Sequence, residues 1–274
     1  FQVYLRELRI DPAHAEPVGD AVRHLAGRTD GSAGTVGLAA ISYAAGPAVL
    51  AALNDGVRPH VGFLLLVGGY YDVESAVTYV TTGAYRPAPG ADWRFGTPNP
   101  RGKWLFVASN AERLEASRDR ALLRRIARRK LRDPDAEVAP LVERLGPDGR
   151  AVHALVSNAD PDRVPALLQA LPAAVRAEIE ALDLRRRPLE QLSGPVLLVH
   201  GRNDPVVPFT ESRRFADALP QGRAELYLVD GLLHANLERI GPADGLRLWQ
   251  LAYRLLALRD AAPTPTLRGG TPGG

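Results

Sequence analysis

Residues 35–53 read TVGLAAISYAAGPAVLAAL, and this stretch decides the fold. It starts as an apolar run of small and β-branched residues, which predicts a strand over residues 35–41. After Ser42 the pattern changes to that of an alanine- and leucine-rich helix. A strand, a sharp turn that carries serine, and a helix together form a context in which a serine can be held as a nucleophile. A serine at a strand end can also be an ordinary helix N-cap.

The residues on either side of Ser42 are small, as such a turn requires. Ala40 and Ala44 stand two positions before and after it, where the G-x-S-x-G pattern has glycines, and Gly46 lies two positions further on. Larger side chains at these positions would collide with the turn. The stretch is therefore a variant of G-x-S-x-G, and other parts of the chain must support its interpretation.

Two further polar residues follow apolar strands much later in the chain. Residues 195–208 read PVLLVHGRNDPVVP, a buried strand followed by a polar turn that contains Asp204. Residues 224–234 read AELYLVDGLLH, a second strand followed by a loop that contains His234. The chain order is serine, aspartate, histidine, each after the C-terminal end of a strand.

This order resembles that of the α/β-hydrolases, and the chain is identified as similar to their serine esterase and dienelactone-hydrolase-like branch. The segment His200-Gly-x-x-Asp204-x-x-Val-Pro208 matches the turn that usually carries the acid in that family. The resemblance covers roughly residues 15–73 and 191–258. It implies an α/β fold with a mostly parallel sheet flanked by helices, and a helical cap inserted between strands 6 and 7.

The resemblance also implies a role for each residue. Ser42 would be the nucleophile, His234 the general base and then the acid, and Asp204 the group that orients the imidazole. The Tyr43 backbone N–H would be one oxyanion donor. The second donor has no candidate in the sequence.

Each of these residues has an alternative. Asp204 could simply stabilise its turn through its side chain. Asp72, in the segment after the strand at 61–68, is the alternative acid, because some members of the family carry the acid there. Tyr70 and Tyr71 could line the substrate pocket, or they could be core or rim residues.

The position of the serine strand creates a problem for a complete sheet. In the family this strand is the fifth of eight, but only about 34 residues precede it here, too few for four strands and their crossovers. We therefore expect that strands 1–4 of the natural protein are absent from this sequence, or that a partner chain supplies them. The strand at 35–41 would then be an apolar edge of the sheet.

The remaining sequence predicts a discontinuous core and an inserted cap. We expect the core to comprise residues 1–73 and 191–260, the cap residues 74–190, and a disordered tail residues 261–274. The strands are expected at 35–41, 61–68, 195–200 and 224–230, with a turn at 29–34 and a proline-rich loop at 87–100. Apolar periodicity predicts helices at 17–28, 104–116, 118–132, 136–145, 149–157, 162–170, 173–182 and 243–258.

Composition narrows the class of protein. The hydrophobic share of 46% and the charged share of 24% are ordinary for a globular protein. The net charge of +3 is too small to indicate nucleic-acid binding. The sequence has no uninterrupted apolar run long enough to span a membrane. It has no cysteine and no metal-ligand or nucleotide-binding spacing, so no metal or cofactor is expected.

Residues 118–132 form a basic amphipathic pattern, RDRALLRRIARRKLR. Such a helix could contact anionic lipid or attract acidic substrates. We favour a solvated face of the cap, because no Trp or Phe anchors its apolar side.

The sequence therefore predicts a serine hydrolase that cleaves a carboxylic ester of a small or medium substrate through an acyl-enzyme. An oligopeptidase or amidase of the same fold is the first alternative. The second is a non-catalytic binding protein with this fold, which the alanines flanking Ser42 favour. We expect a cytoplasmic protein whose partner is a small ester or amide, and the sequence does not indicate an oligomeric state.

Overall fold

The computed structural model describes Arg9 and residues 11–28, 35–238 and 240–260. The strands of these residues, in chain order, are β1 (Val36–Ile41), β2 (Val61–Val67), β3 (Ala84–Tyr85), β4 (Arg94–Phe95), β5 (Val196–Gly201), β6 (Ala224–Val229), β7 (Leu232–Leu233) and β8 (Asn236–Leu237). The predicted turn at 29–34 and the predicted tail at 261–274 lie outside the described residues.

The α-helices of the same residues lie around the sheet and in the region predicted to be the cap, residues 74–190, which is called the cap below. In chain order they are α1 (Ala15–Ala26), α2 (Ala45–Leu53), α3 (Val73–Thr82), α4 (Gly102–Asn110), α5 (Ser117–Arg132), α6 (Ala139–Val142), α7 (Pro147–Val156), α8 (Val164–Gln169), α9 (Ala173–Ala181), α10 (Thr210–Ala218) and α11 (Pro242–Asp260). Short 3-10 helices join several of them, including Ser42–Ala44 between β1 and α2.

Four parallel strands form the main sheet, in the order β1-β2-β5-β6. All six residues of β5 are buried, as expected for a parallel strand covered on both faces. The register pairs Ile41 with Val67, and Val67 with Val199, so the strands end at nearly the same level. This alignment brings the segments that follow the strands to one edge of the sheet.

β1 is an edge strand of this sheet, as the sequence predicted. Its last residue, Ile41, has 46% of its surface exposed. The expectation that the natural protein has further strands before residue 35 stays a prediction.

The cap contains its own group of buried apolar side chains. Trp104 and Val107 of α4 pack with Leu123 and Ile126 of α5 and with Val156 of α7. The apolar side of the basic helix α5 is therefore buried within the cap, which agrees with the interpretation of its arginines as a solvated face. The division into core and cap stays a prediction. Leu182, Leu184 and Leu189 fall within the predicted cap, but they belong to the group of buried residues that packs around the sheet.

Asp119 shows how the cap is held together. It is almost fully buried on α5, and its carboxylate accepts hydrogen bonds from the backbone N–H groups of Gly146 at 2.7 Å and Gly149 at 2.9 Å. These groups belong to the start of α7, where backbone N–H groups lack partners within the helix. A negative charge there also interacts favourably with the helix dipole.

Three predictions for the insertion differ from the structure. The helix predicted at 136–145 is only the single turn α6, because Pro140 has no N–H and fits only the start of a helix. The loop predicted at 87–100 contains β4, which pairs with β3 over two residues. Residues 73–82, for which no helix was predicted, form α3.

Candidate functional site

The segments after the parallel strands bring the predicted site residues to one edge of the sheet. Ser42 follows β1, Gly68 follows β2, and Asp204 lies in the turn after β5. His234 lies in the tight turn between β7 and β8, just after β6. The carboxyl ends of parallel strands are where ligands bind in open α/β sheets.

Ser42 is held in a strained conformation at the start of a helix. Its φ is +57°, and His234, at +58°, is the other non-glycine residue with positive φ in the described part of the chain. A left-handed conformation at a residue with a side chain costs about 1–2 kcal/mol. Strain of this kind persists only where the surrounding structure enforces it, and it is concentrated at functional sites.

Two glycines allow the serine turn to fit against the neighbouring loop. A Cβ atom at Gly46 would lie 1.9 Å from the Tyr70 hydroxyl oxygen, and a Cβ at Gly69 would lie 2.7 Å from the Ala45 Cβ. Neither position has room for a side chain. The small residues after Ser42 are therefore explained by close packing against Gly69 and Tyr70.

Asp204 and His234 form a hydrogen-bonded pair. The distance from His234 Nδ1 to Asp204 Oδ2 is 2.9 Å, and the aspartate side chain is fully buried. The other carboxylate oxygen accepts hydrogen bonds from the backbone N–H groups of Val206 at 2.7 Å and Val207 at 3.0 Å. Asp204 therefore stabilises its turn and contacts the imidazole with different oxygens, so the two interpretations of this residue are compatible.

A second histidine also faces Asp204. His200 Nε2 lies 3.4 Å from Asp204 Oδ2 and 3.0 Å from the Val207 carbonyl, and its Nδ1 lies 2.7 Å from the Ser212 hydroxyl. Burial opposes ionisation of Asp204, but the hydrogen bonds from His200 and His234 outweigh it and hold its pKa well below the usual range. Asp204 is therefore a carboxylate at neutral pH, able to stabilise a charged imidazole.

Gly68 and Gly69 connect this pair to the serine turn. A Cβ atom at Gly68 would lie 3.2 Å from His234 Nδ1 and 3.3 Å from Asp204 Oδ2. At the next residue, a Cβ at Gly69 would lie 4.0 Å from the Ser42 carbonyl oxygen. The Asp204–His234 pair and the serine turn therefore lie against consecutive residues of one backbone segment.

Asp72, the alternative acid, has different partners. It is the N-cap of α3, where its carboxylate accepts the Ser75 N–H at 3.1 Å. The same carboxylate lies 3.1 Å from Arg185 and 3.6 Å from Arg214. Its backbone N–H donates to the buried Glu211 at 2.7 Å. The described contacts of Asp72 are thus with a helix end and arginines, whereas Asp204 contacts His234.

Tyr43, the predicted oxyanion donor, is fixed through its side chain. Its hydroxyl accepts the Asp11 N–H at 2.6 Å and donates to the Asp11 carbonyl at 3.1 Å. Burial raises the pKa of this hydroxyl to about 12. Arg113 of the cap lies 3.0 Å from the Asp11 carboxylate and also pairs with Glu178. Tyr43 follows Ser42 in the first turn of a helical segment, where backbone N–H groups lack acceptors within the helix.

An apolar cavity of about 230 Å³ extends from Ser42 into the cap. Tyr70 lines it, as predicted, whereas Tyr71 lies outside its lining and stacks on Phe215 at 5.8 Å between ring centroids. Lys103 and Arg113 also contribute to the walls. The cavity can therefore hold an apolar group next to Ser42.

The residues that the structure describes include no cluster of three or more His, Asp or Glu side chains that could hold a metal ion. None of their helices is both long and apolar enough to cross a membrane.

Comparison with protein families identifies the fold. The family model described as serine aminopeptidase, S33, matches residues 148–238, which include Asp204 and His234 but not Ser42. The chain has an α/β-hydrolase fold. The prediction of an enzyme of the α/β-hydrolase class is confirmed at this level. No curated protein matches this sequence.

Solved structures of other α/β-hydrolases and esterases resemble this chain remotely. The esterase EaEST from Exiguobacterium antarcticum has 16% identity and a TM-score of 0.40, with 87% of this chain and 71% of that chain covered. An esterase from Thermogutta terrifontis has 18% identity and a TM-score of 0.35, with 89% of this chain and 71% of that chain covered. The rice cell wall degrading esterase LipA from Xanthomonas oryzae has 13% identity and a TM-score of 0.46, with 89% of this chain and 61% of that chain covered. Likenesses this remote carry no argument about the reaction.

Several residues of the α/β-hydrolase site were not predicted from the sequence. Gly68 has a φ of +57° and adjoins the Asp204–His234 pair, and the Gly-Gly dipeptide at 68–69 was the available signal. Arg113 and Lys103 reach the cavity from the cap. Their sequence surroundings give no signal, because arginine and lysine are common on exposed helix faces.

Proposed function

We propose that the chain is a serine hydrolase that cleaves carboxylic esters through an acyl-enzyme, with Ser42, Asp204 and His234 as a triad. The observation that carries this proposal is the Asp204–His234 hydrogen bond of 2.9 Å, which adjoins Gly68, while the next residue, Gly69, adjoins the turn of Ser42, a serine held at a φ of +57°. A buried acid on one imidazole nitrogen and a strained serine nearby are the parts that acyl transfer requires.

The triad residues have distinct roles in this mechanism. Asp204 accepts the Nδ1–H of His234, which leaves Nε2 free of a proton and able to remove the proton of the Ser42 hydroxyl. Ser42 then attacks the ester carbonyl and forms the acyl-enzyme as the alcohol leaves with the proton from His234. Water, deprotonated by the same imidazole, attacks the acyl-enzyme and releases the acid.

The negative oxygen of each tetrahedral intermediate needs hydrogen-bond donors. The Tyr43 backbone N–H is the donor proposed on this chain, and the hydrogen bonds between its side chain and Asp11 support a fixed position for it. Loss of a single oxyanion donor typically lowers turnover by about 10²–10³-fold. The proposal assigns no second donor.

The apolar walls of the cavity support a substrate with a small or medium hydrocarbon acyl group. The apolar walls provide binding energy because they bury the acyl chain. Ser42 and the oxyanion donor position the ester carbonyl. The cytoplasmic location stays a prediction.

Amide or peptide hydrolysis is the second candidate. The family model that matches residues 148–238 is described as serine aminopeptidase, and an amide would use the same triad. The two reactions differ in the leaving group. An amine must be protonated by His234 before it can leave, whereas the alcohol or phenol of an ester depends less on that proton.

The first test is covalent labelling with a fluorophosphonate, followed by intact-mass and peptide analysis. The unmodified chain is expected to gain one adduct on Ser42, and Ser42→Ala none. Ser117→Ala, at an exposed serine on α5, is the matched control and should label normally. A cooperatively folded chain that gains no adduct would contradict the enzyme proposal and favour a non-catalytic binding protein.

The second test compares p-nitrophenyl butyrate with leucine p-nitroanilide. We expect kcat/KM to be higher for the ester, and Ser42→Ala to lower it by at least about 10³-fold. A higher kcat/KM for the anilide, also dependent on Ser42, would replace the ester proposal with the aminopeptidase one.

A further inference from the structure

We propose that the cavity takes acyl groups that end in a carboxylate, and that Lys103 binds this carboxylate. The inference rests on the proposed function, because it names the substrate class of the same site. It follows from the charges that line an otherwise apolar space.

The helix α4 forms one wall of the cavity with a single stripe of residues. Lys103, Phe106, Val107 and Asn110 all line the cavity, and their spacing of three and four positions places them on one face of the helix. At about 1.5 Å of rise per residue, the stripe is about 10 Å long. Arg113, which follows α4, pairs with Asp11, whose backbone binds the Tyr43 hydroxyl, and Asn99, which precedes α4, donates its backbone N–H to the Pro205 carbonyl at 2.8 Å.

The charges at the two ends of the stripe differ in their partners. Beyond the C-terminal end of the stripe, the Arg113 guanidinium is compensated by the carboxylates of Asp11 and Glu178. At the other end, the Lys103 ammonium contacts the Thr81 carbonyl oxygen at 3.5 Å, the upper limit of hydrogen-bond distance. Within the described ranges, no carboxylate lies within ion-pair distance of Lys103.

Lys103 therefore has unused capacity to bind an anion. An ammonium group has three protons to donate, and the Thr81 carbonyl accounts for one. Burial lowers the pKa of Lys103, and the nearby Lys130 lowers it further, so its surroundings disfavour an uncompensated charge. A carboxylate in the cavity would supply the missing opposite charge, in a place where water screens the attraction poorly.

The apolar walls of the cavity define the rest of the ligand. The side chains of Val77, Val80, Phe106 and Leu155 contribute to these walls, and they favour a hydrocarbon chain. The substrate class is thus a hemi-ester of a medium-length dicarboxylic acid, with the ester carbonyl at Ser42 and the free carboxylate at Lys103.

A structural role for Lys103 is the alternative that the experiment must separate. Thr81 lies in the last turn of α3, and a lysine near a helix C-terminus interacts favourably with its carbonyl groups. In that role Lys103 would affect stability and would not distinguish charged from neutral ligands.

The first experiment measures kcat/KM for p-nitrophenyl hemi-esters of succinate, adipate, suberate and sebacate, each against the neutral p-nitrophenyl alkanoate with the same number of acyl carbons. We expect one chain length at which the anionic ester is preferred. Lys103→Met should lower kcat/KM for that ester by about 10- to 100-fold, the range of a charge-assisted hydrogen bond, and change the neutral ester less than threefold. Lys103→Arg should retain most of the preference, and Lys103→Gln replaces Lys103→Met if the latter lowers the melting temperature.

The second experiment measures binding alone, so that it does not depend on hydrolysis. Octanoate and octanamide are titrated by calorimetry into the Ser42→Ala chain, with and without Lys103→Met. Octanoate is expected to bind at least about tenfold more tightly than octanamide, and Lys103→Met should remove the difference. Equal binding of the two ligands, or a preference that survives Lys103→Met, would overturn the inference. If octanoate shows the Lys103-dependent preference but no ester is cleaved, the proposed function fails and the carboxylate site stands.

Discussion

Asp72 and Asp204 each follow a parallel strand at the same edge of the sheet, yet their surroundings differ. The Asp204 side chain is fully buried and lies between the imidazoles of His200 and His234. The Asp72 side chain caps a helix and lies near Arg185 and Arg214. A carboxylate between arginines is already compensated, whereas one beside a neutral imidazole can stabilise the charge that forms there during a reaction. The difference lies in the neighbours that each loop receives from distant parts of the chain.

The strongest test of this comparison replaces each aspartate by asparagine. Asp204→Asn is expected to lower kcat/KM for a short acyl ester by about 10⁴-fold, because His234 loses the acceptor that fixes its tautomer. Asp72→Asn should lower it by less than about tenfold, since asparagine also caps helices well. The measurement is steady-state hydrolysis of p-nitrophenyl butyrate by both variants. A larger loss in Asp72→Asn would assign the acid role to Asp72.

A second test changes the backbone beside the Asp204–His234 pair. In Gly68→Ala the new Cβ would lie within 3.3 Å of both side chains, so we expect the pair to shift and kcat to fall by about 10- to 100-fold. Because alanine is strained at a φ of +57°, this variant should also have a free energy of unfolding lower by about 1–2 kcal/mol.

Gly222→Ala is the matched control for that variant. Gly222 has a φ of +79°, and a Cβ there would have no atom within 4 Å. The free energy of unfolding of Gly222→Ala should fall by a similar amount, while its kcat stays unchanged. Equal losses of kcat in both variants would show that the position of Gly68 beside the pair has no effect on the reaction.

The third test uses pH and concerns stability. The pKa of Asp204 is lower in the folded chain than the value of 3.8 for an unperturbed aspartate. Its ionisation therefore stabilises the fold above about pH 4, and this contribution is lost as the pH falls toward the lower, folded-state pKa.

We expect the gap in unfolding free energy between the unmodified chain and Asp204→Asn to shrink by on the order of 2 kcal/mol as the pH falls from 5 to 2. Chemical denaturation at several pH values measures this gap. A gap that stays constant with pH would mean that the histidines do not favour the charged form of Asp204.

The sequence indicated the positions at the sheet edge because strands and their ends have local signals. Ser42, Asp204 and His234 each follow an apolar run that is recognisable without the structure. The choice between Asp72 and Asp204 was not decidable in this way, because it depends on Arg185 and Arg214, which meet Asp72 only in the folded chain.

The cap was harder to predict than the core. The helices α5 and α7 have clear apolar periodicity, whereas the β3–β4 hairpin has only two paired residues on each strand and no alternating pattern. The cavity and the contact of Lys103 with the Thr81 carbonyl arise from the packing of α3 against α4. Contacts between separate elements leave no periodic signal in either segment.

The Gly68–Gly69 dipeptide has a consequence for how this enzyme could be redesigned. One of its residues adjoins the histidine–aspartate pair and the next adjoins the serine turn, so the proposed catalytic groups are aligned by a loop at the sheet edge. The cavity walls come largely from residues of the predicted cap. If the proposed function holds, substrate range and chemical competence are encoded in separable parts of the polypeptide, and we expect exchanged cap segments to change the first while the alignment of the catalytic groups is kept.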